Sequence, residues 1–231
     1  MKKILFLVYL FVTGMGTLIA QSSINLSSIE SQTNALSEII LEEAYTKLGI
    51  ELTFTILPPE RALASSNSGA TDGEVHRIKG TEKSYPNLVM VPVPINSVEG
   101  LAITKNLDLT ITGWESIRPY KIGIRRGIKY IENGTKGMDV EFNTTDEALL
   151  QKLIADRIQV AVESRLDIIS ILKSPKYSQL QILEPPLQSI KLYHFLNKKH
   201  SSLIPQITKV LEEMEKSGRI KEITDNYISS L

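Results

Sequence analysis

The 231-residue chain contains no cysteine. That excludes disulfides, a cysteine nucleophile, and a lipid anchor attached to a cysteine at a cleavage site, so stability must come from an ordinary core. Aromatic residues are scarce (one Trp, eight Tyr, five Phe), which leaves no stacking platform for single-stranded nucleic acid. Neither sign of charge dominates, since 26 Lys and Arg face 26 Asp and Glu. This balance argues against nucleic acid or an anionic membrane surface as the main partner. The three histidines, His76, His194 and His200, are scattered without metal-ligand spacing. There is no nucleophile elbow, phosphate loop or dinucleotide fingerprint, so neither a cofactor nor a metal is expected. For acid–base chemistry the pair to consider is Glu74 with Glu163, and the sequence gives no distance between them.

The N-terminus is what the chain has in place of a membrane span. Met1-Lys2-Lys3 is basic, Ile4 to Val12 is almost wholly apolar, and Thr13 to Ala20 turns smaller before the polar Gln21-Ser22-Ser23. That order is the pattern of a secretory signal peptide over residues 1–20, with cleavage after Ala20; Leu18 departs from the small residue preferred there. A spanning helix needs about 20 apolar residues, and no later segment approaches that.

Periodicity organises the rest. Ser23 to Leu26 reads as a strand and Ala35 to Leu48 as an amphipathic helix, with Leu36, Ile39, Ile40, Ala44 and Leu48 on one face and Gly49 ending it. Ile50 to Ile56 alternates as a strand, Glu60 to Asn67 follows Pro58-Pro59 as a helix, and Thr71 to Val75 is a third strand. Strand–helix alternation at this spacing predicts a parallel α/β layer. A second layer is expected between about residues 105 and 190, from the strands Tyr120 to Ile124 and Val160 to Glu163 and the helices Thr145 to Asp156 and Arg165 to Lys173. Val89 to Val93, Gly100 to Thr104, Leu180 to Leu183 and Ile190 to Leu196 read as extended, and the chain closes on helices at Ser202 to Ser217 and Ile220 to Ile228. There is no low-complexity linker and no repeat.

Four segments in order carry a family resemblance: Pro59-Glu60-Arg61-Ala62-Leu63 through Thr71-Asp72-Gly73-Glu74-Val75-His76-Arg77-Ile78; Trp114-Glu115-Ser116-Ile117 with Tyr120-Lys121-Ile122-Gly123-Ile124-Arg125-Arg126-Gly127; Ala155-Asp156-Arg157-Ile158-Gln159-Val160-Ala161-Val162; and Leu192 to His200 with the helices around Gly218. Together they resemble extracellular solute-binding protein family 3. The resemblance implies a type II periplasmic-binding fold, α/β with two lobes: residues 22–98 plus 193–231, and residues 99–192. Two extended crossings near Asn96–Ala102 and Ser189–Phe195 would form the hinge. It also implies a periplasmic, monomeric receptor that closes on a small ligand and is read by an inner-membrane transporter of the ABC import type or by a membrane sensor. An enzyme on the same fold, such as a dehydratase, is the remaining alternative. The chain departs from amino-acid-binding members in three places. No arginine lies on the loop Lys79 to Lys83, Ser164 stands where an aspartate grips the ligand ammonium, and Ser27-Ser28-Ile29-Glu30-Ser31 replaces an aromatic-rich loop.

In open parallel sheets, ligands bind beyond the carboxyl ends of the strands. This rule selects Ser27 and Glu30, Glu74 to Arg77, Arg125 to Lys129, and Glu163 to Arg165. Arg77 and one of Arg125 or Arg126 are candidates for a carboxylate, because a guanidinium fork donates two parallel hydrogen bonds. Gly127 permits a close backbone approach, and Arg61 sits on a helix that begins at the prolines. Glu163, Ser164 and Arg165 are candidates for an amine or hydroxyls. Trp114 reads either as a packing anchor near the crossing or as a ligand platform. The expected ligand is small, polar and carboxylate-bearing.

Overall fold

The computed structural model describes residues 23–231; the expected signal peptide lies outside the described residues. Eight strands form one continuous sheet: β1 Ser23–Ser28, β2 Glu51–Ile56, β3 Gly73–Ile78, β4 Leu88–Thr104, β5 Ile122–Arg125, β6 Val140–Asn143, β7 Val160–Ser164 and β8 Gln181–Asn197, in the order β2-β1-β3-β8-β4-β7-β5-β6. β1 to β3 run parallel, as do β5 to β7. Between these two sets, β4 and β8 pair antiparallel from Leu88↔Asn197 to Thr104↔Gln181, threading both halves. The helices are α1 Gln32–Thr46, α2 Pro59–Ser68, α3 Lys129–Gly134, α4 Asp146–Ile154, α5 Arg165–Leu172, α6 Ile204–Lys216 and α7 Arg219–Ser230.

The architecture is α/β and two-lobed, with β4 and β8 as a two-strand hinge. In the first lobe, Leu36, Ile40, Leu41 and Tyr45 of α1 and Ile207 and Leu211 of α6 bury against Leu26, Val91, Val93 and Ile95. The second lobe covers its sheet on both faces. Leu101 and Ile103 face Leu149, Leu153 and Ile168, while Ala102 between them faces Ile117, Ile124 and Val162, as the two-residue period of a strand requires.

Local chemistry moves several boundaries away from the sequence expectation. α1 starts at Gln32 rather than Ala35, because Ser31 is its N-cap and accepts the Asn34 N–H at 3.1 Å. β4 is one 17-residue strand despite Pro92 and Pro94, with register shifts around Pro94 that accommodate the lost donors. Likewise β8 runs unbroken through Pro185 and Pro186, where two separate extended segments were expected. β6, four residues at the sheet edge, was not assigned from the sequence, whereas α3 begins at Lys129, where the sequence allows a helix just after Gly127.

Candidate functional site

Helices α1, α4 and α5 all begin at the level where the two lobes face each other. Between them lies a cavity of about 440 Å³ lined by Glu30, Ser31, Gln32 and Ala35 from the first lobe and Arg125, Asp146 and Asp167 from the second. Each second-lobe residue is placed by local structure. Arg125 ends β5, Asp146 follows the N-cap Thr145, whose Oγ1 accepts the Ala148 N–H at 3.1 Å, and Asp167 lies in the first turn of α5.

Arg125 is the organising cation. Its Nε lies 3.1 Å from Glu163 Oε2 and 3.1 Å from Asp146 Oδ1, and its Nη2 lies 3.8 Å from Asp167 Oδ2. Glu163 is fully buried beneath the cavity and also accepts the Ser164 N–H at 2.8 Å. One guanidinium facing three carboxyls cannot balance them all. Burial pushes the Glu163 carboxyl up to about 8, Arg125 opposes, and Asp146 adds to the rise. A proton on Glu163 gives Asp146 Oδ1 the hydrogen bond it otherwise lacks, since the single Nε–H is directed at Glu163. Burial also raises Asp167, against the opposing effects of Arg125 and of the Gln32 N–H.

The helix N-termini would ordinarily favour an anion. Here the chain's own carboxylates occupy that role: Asp167 Oδ1 accepts the Gln32 N–H at 3.3 Å, and Asp146 sits in the first turn of α4. With Glu30 at the exposed rim, acidic groups exceed cations around the cavity.

Of the residues nominated from sequence, Glu30 and Arg125 line this cavity and Glu163 supports it. Arg126 turns away, its Cζ 4.7 Å from the centroid of the Phe142 ring, so the alternation of the strand does separate the two arginines. The Gly127 N–H donates to Glu132 Oε1 at 2.8 Å. Ser164 Oγ shares a 2.9 Å hydrogen bond with Tyr130 OH. Arg165 faces the hinge, paired with Glu99 of β4 and, at 2.8 Å, with Glu184 of β8. Trp114 packs over Gly134 and Gly100 and donates from Nε1 to Gln188 Oε1 at 3.1 Å. A Cβ on Gly134 would fall 2.2 Å from the Trp114 ring, so this contact needs glycine.

Glu74 and Arg77 form a separate cluster. Arg77 Nη2 is 2.7 Å from Glu74 Oε2 and donates to the Pro59 carbonyl, while Ser66 Oγ donates to Glu74 Oε1 at 2.7 Å. Burial raises the Glu74 carboxyl. Arg61 is exposed on α2 and, like this cluster, lies outside the cavity lining. His76 is enclosed beside Ser37 Oγ at 2.9 Å, with its pKa pushed down to about 3 by burial, a neutral structural group. Sequence reasoning missed Asp146, Asp167 and Gln32. An acid in a helix's first turn reads as ordinary dipole compensation, and only the meeting of two such turns, those of α4 and α5, with the start of α1 marks a site. Among the described residues no group of three or more His, Asp or Glu is placed to hold a metal ion, and no helix is long and apolar enough to cross a membrane.

No family model matches the chain. An uncharacterised protein of Shewanella oneidensis is 25% identical over 190 residues, covering 79% of this chain and 72% of that protein. Among solved structures, the GluR0 ligand-binding core in complex with L-glutamate superposes with a TM-score of 0.72 at 11% identity, over 90% of this chain and 99% of the other. A histidine kinase sensor domain with similarity to periplasmic binding proteins gives 0.68 at 14% identity, over 90% and 96%. An ancestral arginine-binding protein bound to glutamine gives 0.64 at 16% identity, over 89% and 97%. The chain thus has the two-lobed fold of periplasmic-type ligand-binding domains.

Proposed function

We propose that this protein is an extracytoplasmic solute receptor that encloses a small ligand bearing a positively charged nitrogen group between its lobes. The observation that carries the reading is the interlobe cavity, in which Glu30, Asp146 and Asp167 surround a single guanidinium. A ligand carboxylate would meet groups of its own sign there. An ammonium or guanidinium replaces the missing counter-charge and is held by charge-assisted hydrogen bonds. The arginines nominated for a carboxylate are already engaged: Arg77 by Glu74, Arg125 by the acidic cluster, and Arg126 over the Phe142 ring.

The lobes divide at about residues 98 and 193, and residues 1–20 direct export to the periplasm. The protein acts as a monomer and is not an enzyme; it presents its ligand to a membrane transporter. The amino-acid receptors among the structural neighbours support a binding role, and the histidine kinase sensor domain supports a second reading, in which the membrane partner is a sensor. A ligand that touches both lobes favours the closed state by its differential affinity.

The test is a thermal-shift and calorimetric titration of residues 21–231 against arginine, putrescine, glutamate and succinate. A cation-bearing ligand at a hundred times its Kd should stabilise the protein by about 2.7 kcal/mol, and Asp146→Asn should remove the effect. Stabilisation by succinate but by neither arginine nor putrescine would overturn the assignment of charge.

A further inference from the structure

α5 belongs to the second lobe by sequence position and strand order, yet its first turn is built into the first lobe. Leu166 is 7% exposed and belongs to the first lobe's hydrophobic core with Leu36 and Ile40 of α1. The next residue, Asp167, accepts the backbone N–H of Gln32 at 3.3 Å. Gln32 opens α1, whose first turn carries no acidic residue of its own. A carboxylate there is favourable through the helix dipole and an otherwise unpaired donor. From α7, Tyr227 OH donates to Gln32 Oε1 and fixes the same residue from within the first lobe. On the other side Asp167 faces Arg125 of its own lobe. An apolar peg and a charged group, adjacent in sequence, therefore bridge the lobes through the protein's own contacts.

We infer that Leu166 and Asp167 form an intrinsic latch that holds the interlobe cleft closed in the empty protein. The usual order of events is then reversed: the resting receptor is shut, and opening precedes ligand entry. Latch strength sets the closed population, and the apparent affinity scales with the fraction of molecules competent to hold the ligand. Weakening the latch should speed ligand entry and speed release more.

The absence of cysteine makes the test direct, because two introduced thiols are the only dye attachment points. Lys83→Cys and Lys136→Cys place one label on an exposed position of each lobe. Single-molecule energy transfer on the ligand-free protein should show one predominant short-distance population. Asp167→Asn, which keeps the side chain's shape, should raise the open-to-closed ratio about two- to fivefold, the effect of a charge at a partly exposed helix N-terminus. Leu166→Ala should raise it more than about tenfold, as removal of a buried peg requires. Circular dichroism checks that each variant folds, and Asp167→Asn remains decisive if Leu166→Ala does not. A ligand-free parent protein that is mainly open, or whose distribution Asp167→Asn leaves unchanged, would overturn the latch. No ligand is added, so the result is independent of whether the cleft takes a cation.

Discussion

Arg125 Nε stands 3.1 Å from Glu163 Oε2, a contact between a half-exposed guanidinium and a fully buried carboxyl. The pair joins the end of β5 to the end of β7, beneath the interlobe cavity. Because Glu163 can take up a proton, the structure tolerates this contact without requiring a full ion pair. Arg125 is therefore available to compensate Asp146 and Asp167 instead. Its role is to limit the negative charge of the cleft.

This gives opposite expectations for the two kinds of ligand. If the ligand is a cation, Arg125→Gln should preserve binding or tighten it, by up to about tenfold, since 1.4 kcal/mol is one decade and salt screens part of the gain. If the ligand is held by its carboxylate, the same substitution should abolish binding. Calorimetric titration at two salt concentrations separates these outcomes, and a cationic ligand should also bind more weakly as salt rises.

Stability should decline on the alkaline side of neutrality because of Glu163. Its folded pKa of about 8 lies above the ordinary glutamate value of 4.5, so the folded protein binds the proton more tightly than the unfolded chain. Its contribution is complete below pH 4.5 and is lost as pH rises through 8. His76 and His194 act in the opposite sense. Burial pushes them from 6.5 to about 3 and about 4, so their contribution is present above pH 6.5 and is lost as pH falls. Between pH 6.5 and 8 the glutamate acts without them, and about 2 kcal/mol should disappear at one proton's slope. Glu163→Gln should flatten this limb in a melting series taken at 0.5-unit pH intervals; an unchanged limb would assign the decline to another group.

The two-lobed plan was legible in the sequence, and the site was legible only in part. Strand and helix periods survive because Leu36, Ile40, Ile122 and Val162 are selected by burial, which local spacing records. β6 escaped because its pattern is weak: only Asn143 of its four residues is buried, and Phe142 is exposed. The pairings of Arg125 with Glu163 and of Arg165 with Glu99 span 38 and 66 residues, a distance over which sequence spacing carries no information. Arg125, read from sequence as an anion receptor, is thus engaged by an acid from a distant strand.

A buried chain of polar groups under the first lobe gives a further test. His194 Nδ1–H donates to the Glu74 carbonyl at 2.8 Å, which leaves Nε2 as the acceptor of a 2.9 Å hydrogen bond from Tyr45 OH. Both residues are fully buried. Tyr45→Phe keeps the ring but strands the imidazole lone pair, at a cost of about 1–3 kcal/mol. Denaturant unfolding should show a lower midpoint with an unchanged slope, because the area exposed on unfolding hardly alters. Ligand affinity should be unaffected, since neither group borders the cleft.

Gly73 provides the sharpest steric prediction. It opens β3, where the strand turns from its parallel partner β1 to its antiparallel partner β8, pairing with Leu26 on one side and Leu196 on the other. A Cβ at this position would lie 2.2 Å from the Phe195 carbonyl oxygen and 3.0 Å from Leu196 Cα, both backbone atoms of the neighbouring strand. No side-chain rotation relieves such a contact; β3 and β8 must separate locally, weakening the ladder that anchors the hinge strand to the first lobe. Overpacking usually costs about 1–3 kcal/mol, and Gly73→Ala should fall at the upper end of that range because the obstacle is backbone. Amide hydrogen exchange locates the damage: protection should drop in β3 and the second half of β8, while β5 to β7 keep theirs. Uniform loss across both lobes would mean that the lobes unfold as one unit, and full retention in β3 would show that the ladder shifts to admit the methyl group.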